Sequence, residues 1–223
     1  MPSEETKQAP ARLRPSGAFE LTAVHKRDLL QLARDAIVAS IGGLPLPSVD
    51  LPELDQIRAG IFVSLHIGEQ LRGCIGYVEA ARPLPEALRE TAISAAARDP
   101  RFEPLTADEL EHVKIEISIL SPLRKVESPA GITLGRHGVM VQLGHQHGLL
   151  LPQVTHHHDW DVEMFLAHVC LKAGLSAEAW KYPEAEIFVF EADIFSECDK
   201  ICLMRLPYDS TILPPHRRGL AKL

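Results

Sequence analysis

The chain has 223 residues, 46% of them hydrophobic and 24% charged, enough apolar material for one large domain or two small ones. Its formal net charge of −7 argues against a general binder of nucleic-acid backbones, which would need a basic face. No run approaches the ~20 apolar residues that cross a bilayer, and Met1–Gly17 is polar, without the apolar core of a secretory signal.

Residues 1–16, rich in proline, serine and charge, read as a disordered tail. A helix is expected from about Thr22 to Ile41. Val24, Leu29, Leu30, Ala33, Ile37 and Ile41 form its apolar stripe, and Gly42-Gly43 stop it. The proline-broken stretch from Leu44 to Ala59 reads as an ordered connector. Ile61–Ile67 is a strand, Gly68-Glu69 suits a two-residue hairpin loop, and the strand beginning at Gln70 returns antiparallel. Leu84 to about Arg98 reads as a helix whose stripe of Leu88, Ala92, Ala95 and Ala96 is small enough for close packing, and Asp99-Pro100 ends it. Thr106–Glu109 has the capping-box pattern and starts a short helix. Lys114–Leu120 is a strand with Ile115, Ile117 and Ile119 on one face, followed by a loop from Ser121 to Gly131. Gly138–Leu143 and Leu149–Val154 suggest two more strands. Asp159–Ala173 reads as a helix with Val162, Phe165, Leu166 and Val169 inward, and Glu186–Ala192 as a final strand. A second loose tail is expected over residues 207–223. This order points to an α+β fold with a largely antiparallel sheet flanked by helices. The domain is expected over residues 17–206, as one compact unit divisible into two subdomains.

The return strand, Gln70-Leu71-Arg72-Gly73-Cys74-Ile75-Gly76-Tyr77, carries the most chemistry. Alternation puts Leu71, Ile75 and Tyr77 on an apolar face, with Arg72, Cys74 and Gly76 on the other. Gly73 and Gly76 mark close approach by a ligand or another backbone. Cys74 reads either as a nucleophile or redox thiol activated by Arg72, or as a small buried residue. A two-residue loop pairs Ile67 with Gln70 and His66 with Leu71. His66 then lies on the face opposite Cys74, and Val63 lies beside Cys74. Asp99 and Arg101 read either as a cleft rim that binds a charged substrate or as a helix stop with a structural ion pair. Cys170 and Phe102 read as core.

The histidines at 145, 147 and 156–158 invite a metal reading. With no HExxH, paired CxxC or EF-hand pattern, a native metal site is not expected. Cys198-x-x-x-Cys202 is too short a signal for one. Four cysteines make no dense disulfide pattern, which suits reduced thiols in a cytoplasm. No glycine-rich phosphate loop, GxSxG elbow or kinase motif occurs. The cofactor, if any, is unknown from sequence.

Leu71–Gly76 resembles the signature hexapeptide of the AMMECR family, protein A of the AmmeMemoRadiSam system. Further matches follow in family order: Asp99–Leu105 (DPRFEPL), Glu116–Leu120, Gly148–Val154 (GLLLPQV), and Asp159-Trp160 with Phe165-Leu166 and Lys172–Leu175 (KAGL). The resemblance spans roughly residues 20–195. It implies a compact α/β protein with a cleft beside the RGCIG strand, and Memo-like and radical-SAM proteins as partners. On this reading Cys74 is the candidate catalytic residue, with Arg72, Gly73, Gly76, Asp99 and Arg101 binding a small substrate. The alternative is a non-catalytic module that docks a partner protein or ligand on the same strand.

Overall fold

A computed structural model describes residues 12–13, 19–79, 81–157 and 159–197, without the side chains of residues 12, 13, 156 and 157. The expected C-terminal tail, most of the N-terminal one, His158, Cys198 and Cys202 lie outside that range. Within the expected N-terminal tail, β1 (Arg12–Leu13) pairs antiparallel with β2 (Phe19–Glu20), so order begins earlier than composition suggests.

Helix α1 (Ala23–Gly42) starts where the sequence signals it. The Thr22 hydroxyl accepts from the His25 backbone N–H, and the His25 ring accepts from that of Thr22. Gly43 closes the helix at φ 63°, a left-handed conformation that costs glycine little. Strands β3 (Ile61–Ile67) and β4 (Gln70–Tyr77) form the expected hairpin, and α2 (Leu84–Ala97) follows. With β5 (Val113–Leu120) and β10 (Ala192–Ser196), this hairpin makes an antiparallel sheet of order β10-β5-β3-β4. One face carries Val63, Leu65, Ile115, Ile117 and Ile119. It packs with Leu29, Ala33 and Ile37 of α1 and Leu88, Ala92 and Ala95 of α2 to form the first core.

A second antiparallel sheet, of order β6-β9-β7-β8, contains β6 (Arg124–Val126), β7 (Gly138–Leu143), β8 (Gln146–Leu150) and β9 (Glu186–Phe190). Helix α3 (Val162–Lys172) covers one face. Phe165, Leu166, Val169 and Cys170 bury themselves there against Val139, Val141, Ile187 and Val189. The two sheets meet through a smaller apolar cluster of Leu120, Met140, Leu149 and Phe190, joined by Phe62.

Three local readings change. The Ser121–Gly131 segment contains the short strand β6. The expected strand at Leu149–Val154 lies earlier, at Gln146–Leu150, and Pro152 opens a 3-10 helix over Pro152–His157. Beyond β9 the chain makes a further strand, β10, which crosses back to pair with β5. The α+β class and the antiparallel pairing stand as expected.

Candidate functional site

Strand β4 lies at the edge of its sheet, and its register is broken once. Ile67 pairs with Gln70 and His66 with Leu71, but Leu65 pairs with Gly73, which leaves Arg72 as the extra residue of a β-bulge. The bulge corrects the alternation drawn from sequence. Ser64, not Val63, lies beside Cys74. His66, two residues from Ser64 on the same strand, belongs to the Cys74 face rather than the opposite one. Leu71 and Tyr77 do not enter the core; both are exposed at the sheet edge.

The bulge also re-aims Arg72. Its guanidinium makes a bidentate pair with Glu109, at 2.6 and 3.0 Å, and donates to the carbonyls of Glu103 (2.7 Å) and Pro104 (3.3 Å). Glu109 is the acidic partner of the capping box at Thr106, accepting from the Thr106 N–H and hydroxyl, each at 2.9 Å. The hydrogen bonds from Arg72, assisted by those from Thr106, hold the Glu109 carboxyl at about 2. Arg72 thus fastens the loop after α2 to β4, and its planar fork suits both tasks.

The cation that faces Cys74 is Arg101. Asp99 is 4% exposed and accepts from the Cys74 backbone N–H at 2.8 Å. Arg101 donates to Asp99 at 2.9 and 2.7 Å and to the Cys74 carbonyl at 3.0 Å. An acceptor and a donor from the loop therefore satisfy the outward backbone groups of Cys74, as a neighbouring strand would. The Arg101 guanidinium beside Asp99 holds that carboxyl well below the usual range, while Asp99 raises Arg101. The two readings of Asp99-Arg101 merge here: the pair is structural, and its half-exposed guanidinium also interacts with the Cys74 side chain.

The sulfur of Cys74 is half-buried and accepts from the Ser64 hydroxyl at 3.3 Å. Lys172 at the end of α3 is charge-coupled to both Cys74 and Arg101. Its residue as a whole is exposed, yet its ammonium sits where desolvation pushes it below the ordinary lysine range. Gly148 makes this delivery possible. A Cβ there would collide with Val169 and Ala173, so glycine lets the last turn of α3 lie directly on β8. Gly73 has a comparable reason: a Cβ would run into the Ala95 carbonyl of α2. At Gly76 a Cβ would enter the Phe62 ring. The space above these two glycines is filled by the protein itself, although Gly76 also lines a cavity of about 460 Å³ with Tyr77, Met140, Gln142 and His147.

Glu116 of β5 pairs with Ser64, so Cys74, Ser64 and Glu116 form one row across three strands on the face turned away from α1 and α2. Gln153 reaches this row from the 3-10 helix and donates its side-chain N–H to Glu116 at 3.4 Å. Its oxygen is buried without a hydrogen-bond partner. Sequence reasoning missed Ser64, Glu116, Gln153 and Lys172 as site residues. Gln153 and Lys172 did stand in conspicuous motifs, and Glu116 was the polar alternate of an isoleucine-rich strand. Among the described residues no group of three or more histidine, cysteine or acidic side chains is placed to hold a metal. None of the described helices is long and apolar enough to cross a membrane. Cys170 is fully buried in the second core.

The model of the AMMECR1 family matches residues 30–195. A protein of Methanothermobacter thermautotrophicus is 45% identical over 180 residues, 77% of this chain and 93% of that one. A Methanocaldococcus jannaschii protein is 43% identical over 178 residues, 76% of this chain and 89% of its own length. The crystal structure of an uncharacterized protein from Pyrococcus horikoshii superposes with a TM-score of 0.72 at 38% identity, covering 77% of this chain and 91% of that one.

Proposed function

This chain belongs to the AMMECR1 family, and from that premise and the site's geometry we propose that it is an enzyme or enzyme component acting on a small anionic substrate at Cys74. The observation that carries this reading is a half-buried thiol whose backbone carbonyl accepts from the Arg101 guanidinium at 3.0 Å, with Lys172 of α3 bringing a second positive charge within electrostatic range from the other half of the molecule. A structural cysteine needs neither. Two cations near a sulfur attract an anionic reactant to it. Asp99 positions the thiol by holding its backbone, and Ser64 donates to the sulfur. Arg72 acts at one remove, by fixing the loop that presents Asp99 and Arg101. Memo-like and radical-SAM partners, which the resemblance implies, belong to the same proposal.

Docking of a partner strand on β4 is the weaker reading. The outward backbone groups of Cys74 are already taken by Asp99 and Arg101, so an added strand would have to displace an ion pair.

Alkylation of Cys74 tests the proposal. The rate with anionic iodoacetate is compared with that of neutral iodoacetamide, by mass spectrometry of the Cys74 peptide, and the ratio is normalised to a free cysteine peptide. The normalised ratio is expected to be about tenfold above one, the size of effect two nearby charges produce in a partly desolvated site. It should fall in Lys172→Met. A ratio no higher than that of the free peptide would remove the basis for an anion-directed thiol.

A further inference from the structure

The row that begins at Cys74 ends on Glu116 and Gln153, and the Gln153 side-chain oxygen accepts from nothing among the described residues. The carboxylate of Glu116 can only accept, so the Gln153 amide must turn its N–H₂ toward it. That orientation is fixed by chemistry, and it leaves the Gln153 oxygen buried and unpaired. A buried carbonyl oxygen without a donor costs free energy, and buried polar groups are nearly always satisfied. Glu116 is half-buried, and among the described residues Gln153 alone hydrogen-bonds to its side chain. One end of the row thus offers two acceptors and a negative charge. At the other end, two strand spacings or about 10 Å across the sheet, the Arg101 guanidinium donates to the Cys74 carbonyl at 3.0 Å and Lys172 adds a second positive charge within electrostatic range.

We propose that this row binds a small zwitterion whose anionic group is held by Arg101 and Lys172 and whose ammonium lies on Glu116 and the unpaired oxygen of Gln153. This rests on the reading of Cys74, Arg101 and Lys172 as an anion-directed thiol site, and it adds the second recognition element. The ammonium supplies the donor that the Gln153 oxygen lacks and neutralises Glu116. A neutral molecule leaves the Glu116 charge unneutralised, and a purely anionic one meets it with repulsion. The row is polarised along one axis, so it selects orientation as well as charge.

Three symmetrical disulfides probe this directly in the full chain: cystine (zwitterionic), dithiodiglycolate (anionic) and cystamine (cationic). In each case the Cys74 thiolate attacks one reagent sulfur, forms a mixed disulfide and releases the other half as a thiol. Rates at the Cys74 peptide, normalised to a free cysteine peptide, are followed by mass spectrometry. Dithiodiglycolate should outrun cystamine, and cystine should outrun dithiodiglycolate by about fivefold, the effect of one added half-buried charge pair. Glu116→Gln, which keeps shape and folding, should erase the cystine advantage and leave dithiodiglycolate no slower. Gln153→Met should reduce the same advantage, and circular dichroism of both variants checks that they fold. If cystine shows no advantage, or keeps it in Glu116→Gln, the zwitterion proposal is overturned while the anion preference stands. If dithiodiglycolate does not outrun cystamine, the anion-directed site fails, and this proposal falls with it.

Discussion

Arg72 and Glu109 show how a residue singled out for chemistry can serve structure instead. The guanidinium closes two backbone carbonyls and one carboxylate, and that carboxylate in turn closes the capping box. Charge-assisted bonds of this kind are the strong ones, and removing one partner strands the other. Because Glu109 is held at about 2 in the folded chain against an ordinary 4.5, its stabilisation is fully present above about pH 4.5. It is lost as the pH falls toward 2. Glu109→Gln should therefore lower stability by about 1–2 kcal/mol at neutral pH. The gap to wild type should close on acidification through that window, as read by urea denaturation at pH 7, 4 and 2.5. A gap that stays constant with pH would mean that the Arg72–Glu109 pair adds nothing beyond packing. Asp99 titrates in the same direction, so some acid sensitivity is expected to survive in the variant.

The elements themselves were largely legible. Thr22 and Gly43 bracket α1, Gly68-Glu69 sets the β3–β4 loop, and Ile115, Ile117 and Ile119 announce which face of β5 is inward; each signal is local, so sequence carries it. The bulge at Arg72 is not local. It arises because Gly73 must slide beneath the Ala95 carbonyl of α2 while the loop after α2 claims Arg72, and neither demand is visible in the eight residues of β4. One missed bulge was enough to misplace His66 and Val63 and to credit Arg72 with the role that Arg101 holds. The close approach at Gly73 gives a prediction for this element. Gly73→Ala puts a methyl against a backbone atom that cannot rotate away, so α2 and β4 must separate. Overpacking of this type costs about 1–3 kcal/mol, and thermal denaturation should show it as a fall in Tm of several degrees. The same substitution at Gly76 meets the Ile61 carbonyl as well as the Phe62 ring, so its cost should be comparable. An unchanged Tm in Gly73→Ala would show that the α2–β4 contact is slack.

At the scale of the whole molecule, the arrangement of cores explains why the site sits where it does. Each sheet buries one face under helices and turns the other toward its neighbour. The space between them is apolar where Phe62, Met140, Leu149 and Phe190 meet and polar along Cys74, Ser64 and Glu116. The return of β10 to the first sheet ties the two halves covalently at a second point. The candidate site draws Cys74 and Arg101 from one half and Lys172 and Gln153 from the other, so its geometry depends on the seam. That part could not be read from sequence, because no local pattern specifies how two sheets face each other. Phe190 is the test, at 2% exposure within the seam. Phe190→Ala should cost about 3–5 kcal/mol and weaken the coupling between halves. Trp160 and Trp180 both pack on the second core and report its unfolding by fluorescence, while alkylation of Cys74 reports the opening of the first. In the native chain the two probes should give one urea midpoint, as a cooperative unit requires. In Phe190→Ala the midpoints should fall and separate, and the iodoacetate preference of Cys74 should decline before either half unfolds. Separate midpoints in the native chain would mean that the halves fold independently, and that a site built across their seam is held by less than the structure implies.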